Sequence, residues 1–205
     1  MANKIITISR EFGSGGRFIG EEVAKKLGMK YYDKDIISQI AEKLGFSKEY
    51  ISQNAELSPK KGLFAYALTG RDTTGKSVED MVYEAQRKVI LEIAENDSCV
   101  IIGRNADYIL KDRTDVINIF IHADMPEKVK RICRLYNVTE TEAVAMTADI
   151  DKRRMTNYRY YTDQKCGMAR NYTLTLNSSQ LGYDMCEKII MECAQQLIFI
   201  CSDKI

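Results

Sequence analysis

A chain of 205 residues is long enough to bury one substantial core and fits one domain carrying an inserted lobe or two, rather than two independent domains. Its 45% hydrophobic and 29% charged content is that of a globular protein, and a net charge of +1 gives no global attraction to nucleic acid or membrane. No run approaches the roughly 18 apolar residues needed to span a bilayer and the first residues do not read as a secretion signal, so a cytoplasmic protein is expected.

The chain opens on a strand, a glycine loop and a helix. Ile5-Ile6-Thr7-Ile8 is a β-branched run, Phe12 to Gly16 is a glycine-rich turn, and Ile19, Val23 and Leu27 recur at the spacing of one helical face. A parallel strand delivers such a loop to the carboxyl edge of a sheet, where the first turn of a helix leaves backbone N–H groups unpaired. Gly13, Gly15 and Gly16 could take the positive φ angles of an anion nest, and Ser14, Arg17 and Phe18 complete a candidate phosphate-binding segment. Against the pattern G-x-x-x-x-G-K-[ST], Glu11 replaces the first glycine, Arg17 the lysine and Phe18 the hydroxyl residue. Gly70 to Ser77, GRDTTGKS, fits that pattern letter for letter. The segment before it has no β-branched residue until Thr69, and its Phe64, Ala65 and Leu68 suit a helical stripe, so context favours the N-terminal loop.

Further along, Lys30-Tyr31-Tyr32-Asp33 reads as a short second strand ending in a carboxylate, and Asp35 as the cap of a helix with Ile36, Ile37, Ile40, Ala41 and Leu44 on its apolar face. Ser47 caps a further short helix near Lys48 to Asn54, and Lys34 to Ser77 is taken mostly as an inserted lobe. A long helix is predicted from Ser77 to Asn96, then a buried strand Cys99 to Ile102 running into Gly103-Arg104. Ile117 to Ala123 is a fourth strand, Asp124-Met-Pro-Glu127 opens another helix, Glu140 to about Tyr160 is mostly helical, Tyr172 to Asn177 is a fifth strand, and Gly182 to Cys201 is a closing helix. Strands alternating with helices predict an α/β fold, a five-stranded parallel sheet with helices on both faces.

Six cysteines without a C-x-x-C pair are read as reduced core thiols, and the single histidine, His122, leaves little for a zinc centre or a Ser-His-Asp triad; no metal is expected to be held directly. The segment Asp149 to Arg170 is locally basic: Lys152, Arg153, Arg154, Arg159, Lys165 and Arg170 face Asp149, Asp151 and Asp163. Arginines near a phosphate loop suit phosphoryl transfer, whose charge spreads over the moving group. The same pattern also fits a solvated helix face, and the interleaved Tyr158, Tyr160, Tyr161 and Tyr172 permit single-strand nucleic-acid binding, the weakest of the three. Asp33, Gly103-Arg104 and Asn177-Ser178 all fall at strand ends that converge on one crevice.

The motifs TISREFGSGGRFIG at 7–20, YYDKDII at 31–37, VIIGRNADYIL at 100–110, IFIHADMPEKVKRI at 119–132, DKRR at 151–154 and YTLTLNSSQLG at 172–182 resemble the cytidylate kinase-like family of P-loop nucleoside monophosphate kinases. The resemblance implies a P-loop kinase fold, ATP as donor with Mg²⁺, an acceptor-binding insert at 34–85 and an arginine-rich lid at 149–170. It implies Arg17 on the donor phosphates, Asp33, Arg71, Arg104 and Asn105 on the acceptor, and Arg153, Arg154 and Arg159 in the lid. Where cytidylate kinases carry lysine, aspartate, arginine and aspartate, this chain has Arg17, Asn105, Gln39 and Asn177. The expectation is an ATP-dependent phosphotransferase acting on a nucleoside monophosphate or similar small acceptor. The alternative, prompted by Glu11 and Arg17, is a nucleotide-binding regulatory protein with this fold and little turnover.

Overall fold

The computed structural model describes residues 4–45 and 78–202. Ile5–Arg10 forms β1, Gly16–Leu27 α1, Lys30–Tyr32 β2 and Lys34–Leu44 α2. After the gap come Val78–Asn96 as α3, Cys99–Ile102 as β3, Ala106–Ile109 as α4, Val116–His122 as β4 and Met125–Tyr136 as α5. Glu140–Thr162 is α6, Leu174–Asn177 β5, Ser178–Leu181 α7 and Tyr183–Ser202 α8.

The five strands make one parallel sheet in the order β2-β3-β1-β4-β5. The β-branched runs read as buried strands form its centre: β1 pairs Ile5 with Cys99 and Val116, and Ile8 with Ile102 and Ile119. Both faces are covered, which is why these strands are apolar without alternation. On one side Ile19 and Val23 of α1 and Cys186 and Ile190 of α8 pack on Ile6, Ile8, Val100 and Ile102; on the other, Ile36 and Ile40 of α2 and Val82, Val89 and Ile90 of α3 pack on Ile5, Cys99 and Ile101. From β1 the chain crosses to β2 and β3 on one flank, then to β4 and β5 on the other. The strand order reverses at β1, so the loop after β1 opens onto the crevice where open α/β sheets bind ligands.

Several boundaries differ from the sequence reading. The second helix starts at Lys34, with Asp33 rather than Asp35 at its N-cap position, and the Asp33 carboxylate makes no cap bond. β5 begins two residues later than expected; Tyr172, just before it, buries its ring against Phe120 at a 5.1 Å centroid distance. The short helix near Lys48 to Asn54, the GRDTTGKS segment at 70–77 and Arg71 lie outside the described residues.

Candidate active site

The loop between β1 and α1 is shaped by close approach. Gly13 and Gly15 hold φ of 81° and 78°, and a Cβ on Gly15 would lie 2.5 Å from the Tyr183 ring. A Cβ on Gly13 would meet the Ile132 side chain at 2.9 Å. Helix α1 begins at Gly16 with no side-chain cap bond at Gly15; apart from Gly16 N–H, which reaches Ser14, its first turn presents N–H groups and a dipole suited to an anion. Ser14 is buried and serves the loop itself: its hydroxyl donates to Glu11 O at 2.9 Å and accepts from Gly16 N at 3.4 Å. Phe18, at the place where a hydroxyl would be expected, is half exposed and lies 5.7 Å from the Tyr183 ring.

Four guanidinium groups surround this loop. Arg10 at the end of β1, Arg17 on α1, Arg131 on α5 and Arg154 on α6 line a cavity of about 180 Å³ together with Gly13, Gly15 and Gly16. The Arg17 Nη2 is 2.5 Å from Asp33 Oδ2, and Tyr31 donates its hydroxyl to Arg17 O at 3.4 Å. Burial is the largest influence and works against the Arg17 charge, but Asp33 and Tyr31 together outweigh it and hold the guanidinium above its ordinary pKa. Arg17 thus bridges the glycine loop and the end of β2.

Glu11 has a structural task. Its Oε2 accepts from Ala123 N at 3.3 Å and from Lys128 Nζ at 3.0 Å, and Lys128, only 5% exposed, also reaches Asp151 Oδ2 at 3.3 Å. Asp151 Oδ1 accepts the Phe12 N–H at 2.7 Å and lies 3.9 Å from Arg154 Nη1. Desolvation pushes the Asp151 carboxyl upward, opposed by the Phe12 N–H, Lys128 and Arg154. A buried lysine between two carboxylates therefore ties β1, α5 and α6 together directly beneath the loop.

At the end of β3, Gly103, Arg104 and Asn105 all have φ near +60° (63°, 61° and 55°), and Arg104 and Asn105 are buried. Two non-glycine residues in the left-handed region must be held there by their surroundings. Gln86 Nε2 donates to Arg104 O at 2.7 Å, and Asn105 Nδ2 donates to Asn157 Oδ1 at 3.2 Å. Beneath them Asp107, 3% exposed, accepts from Tyr158 OH at 2.7 Å and Ser9 Oγ at 3.3 Å; desolvation pushes its carboxyl upward. Ser9, Arg10, Arg104, Asn105 and Arg154 border one gap of about 20 Å³, water-sized.

Of the candidate residues, the structure brings Gly13, Gly15, Gly16, Arg17 and Arg154 to one cavity, and links Arg104 and Asn105 to it through Arg10 and Arg154. Arg153 is turned to Asp149 at 3.7 Å, and Arg159 is exposed; neither lines these cavities. The strand-end Asn177 caps α7, accepting from Ser179 N at 3.0 Å while donating to Asp124 Oδ1 at 3.0 Å. The rings considered for nucleic acid are engaged: Tyr158 on Asp107, Tyr172 on Phe120, and Tyr161 stacked on Tyr83 with centroids 3.9 Å apart; Tyr160 is 65% exposed. Sequence reasoning passed over Arg10, Lys128 and Arg131. The signal for Arg10 was present, a charge closing an apolar strand immediately before the loop; Lys128 and Arg131 look like ordinary helix-surface charges until α5 is docked.

A second cavity of about 410 Å³ adjoins the first at Gly13 and Arg131 and runs between α5 and the Ser178-Ser179 turn, with Arg134 and Tyr183 on its walls. Among the described residues no cluster of three or more His, Cys, Asp or Glu side chains is arranged to hold a metal, and no helix is long and apolar enough to cross a membrane.

A parallel sheet whose central strand feeds a glycine cradle and an uncapped helix, ringed by arginines, defines a P-loop kinase fold built for nucleotide binding and phosphoryl transfer. The chain belongs to the cytidylate kinase-like family, whose model matches residues 5–180. It is 25% identical over 195 residues to the cytidylate kinase of Archaeoglobus fulgidus, covering 93% of this chain and 94% of that one. Among solved structures, an uncharacterized protein from Eubacterium ventriosum superposes with a TM-score of 0.73 at 24% identity, covering 94% of this chain and 99% of that one. Shikimate kinase from Bacteroides thetaiotaomicron shares the fold at a TM-score of 0.53 and 15% identity, covering 94% and 98%.

Proposed function

We propose that the protein transfers the γ-phosphoryl group of ATP to a nucleoside monophosphate or a similar small acceptor. The observation that supports this reading is the single cavity in which the glycine cradle meets Arg10, Arg17, Arg131 and Arg154. An acceptor oxygen attacks the γ-phosphorus, the bond to the β,γ-bridging oxygen breaks, and ADP leaves with that electron pair. The charge that develops is spread over phosphoryl oxygens, and fixed guanidinium donors in a partly dry site stabilise it without reorganising.

In this reading the N–H groups of Gly13 to Phe18 receive the β- and γ-phosphates, and the 410 Å³ cavity beyond Arg131 receives the nucleoside. Arg17, now held by Asp33, serves both donor and acceptor edges. Arg104 and Asn105, with Asp33 and Arg71, face the acceptor, and Arg154 is the arginine of the 149–170 lid closest in role to the moving group. Arg153 and Arg159 would join it only if the lid turns. The loop is fixed in shape because a Cβ on Gly13 or Gly15 would run into Ile132 or Tyr183, and the first turn of α1 beside it suits a polyphosphate. Mg²⁺ would neutralise phosphate charge when bound, held chiefly by the donor's own oxygens and water.

The test is release of ADP from ATP across a panel of monophosphates, alongside ATP affinity. Arg17→Ala should weaken ATP by about tenfold or more while Lys76→Ala leaves it within twofold. A larger loss at Lys76 moves the donor site to residues 70–77. Tight ATP binding without acceptor-dependent turnover would favour the regulatory reading, which Glu11 and Arg17 prompt.

A further inference from the structure

Gly13 and Gly15 are explained by their backbone, but Gly16 is not among the residues with positive φ. It is the buried first residue of α1, and a Cβ there would lie 2.8 Å from Arg10 Cβ and 3.3 Å from both Arg10 Cγ and Ile121 Cβ. A bare Cα at 16 is therefore what lets the Arg10 side chain cross the start of α1. The Arg10 backbone is held firmly: it ends the central strand in register with Ile121 of β4, and the ladder continues through Glu11 N to Ile121 O at 3.0 Å. A third cavity of about 330 Å³, between α6 and the β4–β5 edge, has Phe120, Met155 and Thr175 on its walls. Arg10 and Arg154 line this cavity, the loop cavity and the gap beside Arg104 alike, and no other described residue lines all three. Of these three, Arg17 and Arg131 line only the loop cavity and Arg104 only the gap. The Arg17 side chain, turned to Asp33, is 52% exposed, whereas that of Arg154 is 16% exposed.

We infer that Arg10 is a catalytic residue, the cation that takes the place of the phosphate-loop lysine, and that Gly16 lacks a side chain to give it room. The inference rests on the phosphotransfer reading and adds which guanidinium meets the group in transit. With the donor phosphates on the glycine loop and the acceptor at the Arg104 edge, the path between them runs past Arg10 and Arg154. As the acceptor oxygen bonds to the γ-phosphorus and the bond to the β,γ-bridging oxygen breaks, the electron pair leaves with ADP and negative charge spreads over the equatorial oxygens of the moving group. Arg10 neither gives nor takes a proton; its planar fork donates N–H bonds to those oxygens. The usual lysine rises from the helix, whereas this charge comes from the end of a strand paired on both sides, so it does not reorganise as the new charge develops. Arg17, paired with Asp33, then serves ground-state binding of the donor.

The experiment uses the full chain and whichever monophosphate drives most ADP release. Turnover is measured beside calorimetric affinity for ADP alone and for ADP with Mg²⁺, aluminium fluoride and that monophosphate, where the fluoride complex stands in for the moving phosphoryl group. Arg10→Met keeps the stem and removes the charge: kcat should fall about a hundredfold or more and the tightening by aluminium fluoride should vanish, with ADP affinity within about threefold of wild type. Arg10→Lys should recover about tenfold or more of the lost kcat, and Arg17→Ala should lose ATP affinity but keep the tightening. Gly16→Ala should cost about tenfold or more in kcat in the wild-type chain and less than about threefold in Arg10→Gly, where the stem it would strike is gone. Three results would each overturn the assignment: Arg10→Met turning over within threefold of wild type, equal losses of affinity for ADP and for the fluoride complex, or tightening lost in Arg17→Ala and kept in Arg10→Met. An equal cost of Gly16→Ala in both backgrounds overturns the role given to Gly16. A wild-type chain that binds ATP and releases no ADP with any monophosphate strikes the phosphotransfer reading and this inference with it; a competent wild type beside an unimpaired Arg10→Met strikes only the assignment of Arg10.

Discussion

Asp107 shows how much of a site depends on a residue that touches no ligand. Its carboxyl is buried among Ser9, Tyr158 and the α4 backbone, and desolvation raises its pKa above the ordinary aspartate value of 3.8. A carboxyl whose folded pKa is raised binds its proton more tightly in the native state. Its contribution to stability is full below the unfolded pKa and is lost as pH rises through the folded value. Asp107→Asn keeps an acceptor for Tyr158 and removes the titration. Denaturant unfolding from about pH 4 to 7 should therefore show a shallower fall of stability with rising pH in the variant than in the wild type, and an identical slope would exclude this assignment. Legibility at this scale was uneven. Arg17 and Asp33 were each visible as charges at the ends of elements, but their 2.5 Å pairing depends on β2 lying two strands away from β1, which no local pattern encodes. Asp107 gave no signal, being one acid among many until a sheet and two helices close around it.

Helix α6 is the element on which the lid idea stands. Its helical character was readable between Glu140 and about Tyr160, and the structure adds a capping box at Thr139 and Glu142; its docking was not readable, because its apolar residues form no clean stripe. Its first half packs on α5, with Asp151 held by Lys128 and the Phe12 N–H, and its second half is held by Asn157 with Asn105, Tyr158 with Asp107, and Tyr161 with Tyr83 of α3, the last a parallel stack at 6°. Polar contacts and one ring pair hold a helix less permanently than a buried seam, which suits a segment that must admit substrates. An aromatic pair of this kind is worth about 0.5–1.5 kcal/mol beyond its buried area. A double-mutant cycle with Tyr83→Leu and Tyr161→Leu, read by denaturant unfolding, should give a coupling in that range; additive effects would mean that the stack carries no energy of its own.

The whole molecule was the most readable level. Five strands, their parallel sense and their alternation with helices were all evident from β-branched runs separated by amphipathic segments. The order β2-β3-β1-β4-β5 was beyond local patterning, and it is this order that sets the glycine loop at the crevice. Because the cradle exists only when β1, α1, α5 and α8 are assembled, a ligand held there binds the native state alone. ATP with Mg²⁺ at one hundred times its dissociation constant should stabilise the fold by about 2.7 kcal/mol. For a chain of this size that corresponds to a rise in Tm of roughly 5–11 °C, readable by differential scanning fluorimetry. No rise at saturating ATP would mean that the cradle is not a nucleotide seat.

The lysine under the loop carries a consequence for descent as well as for stability. Glutamate at position 11 departs from the usual phosphate-loop glycine, and Lys128 is the residue that this glutamate answers. With glycine restored at 11, the ammonium would keep Asp151 alone in a nearly closed setting, and a buried charge stripped of one partner is costly. Positions 11 and 128 are thus expected to have been exchanged together during divergence, so that relatives with a glycine at the first place carry an uncharged side chain at the second.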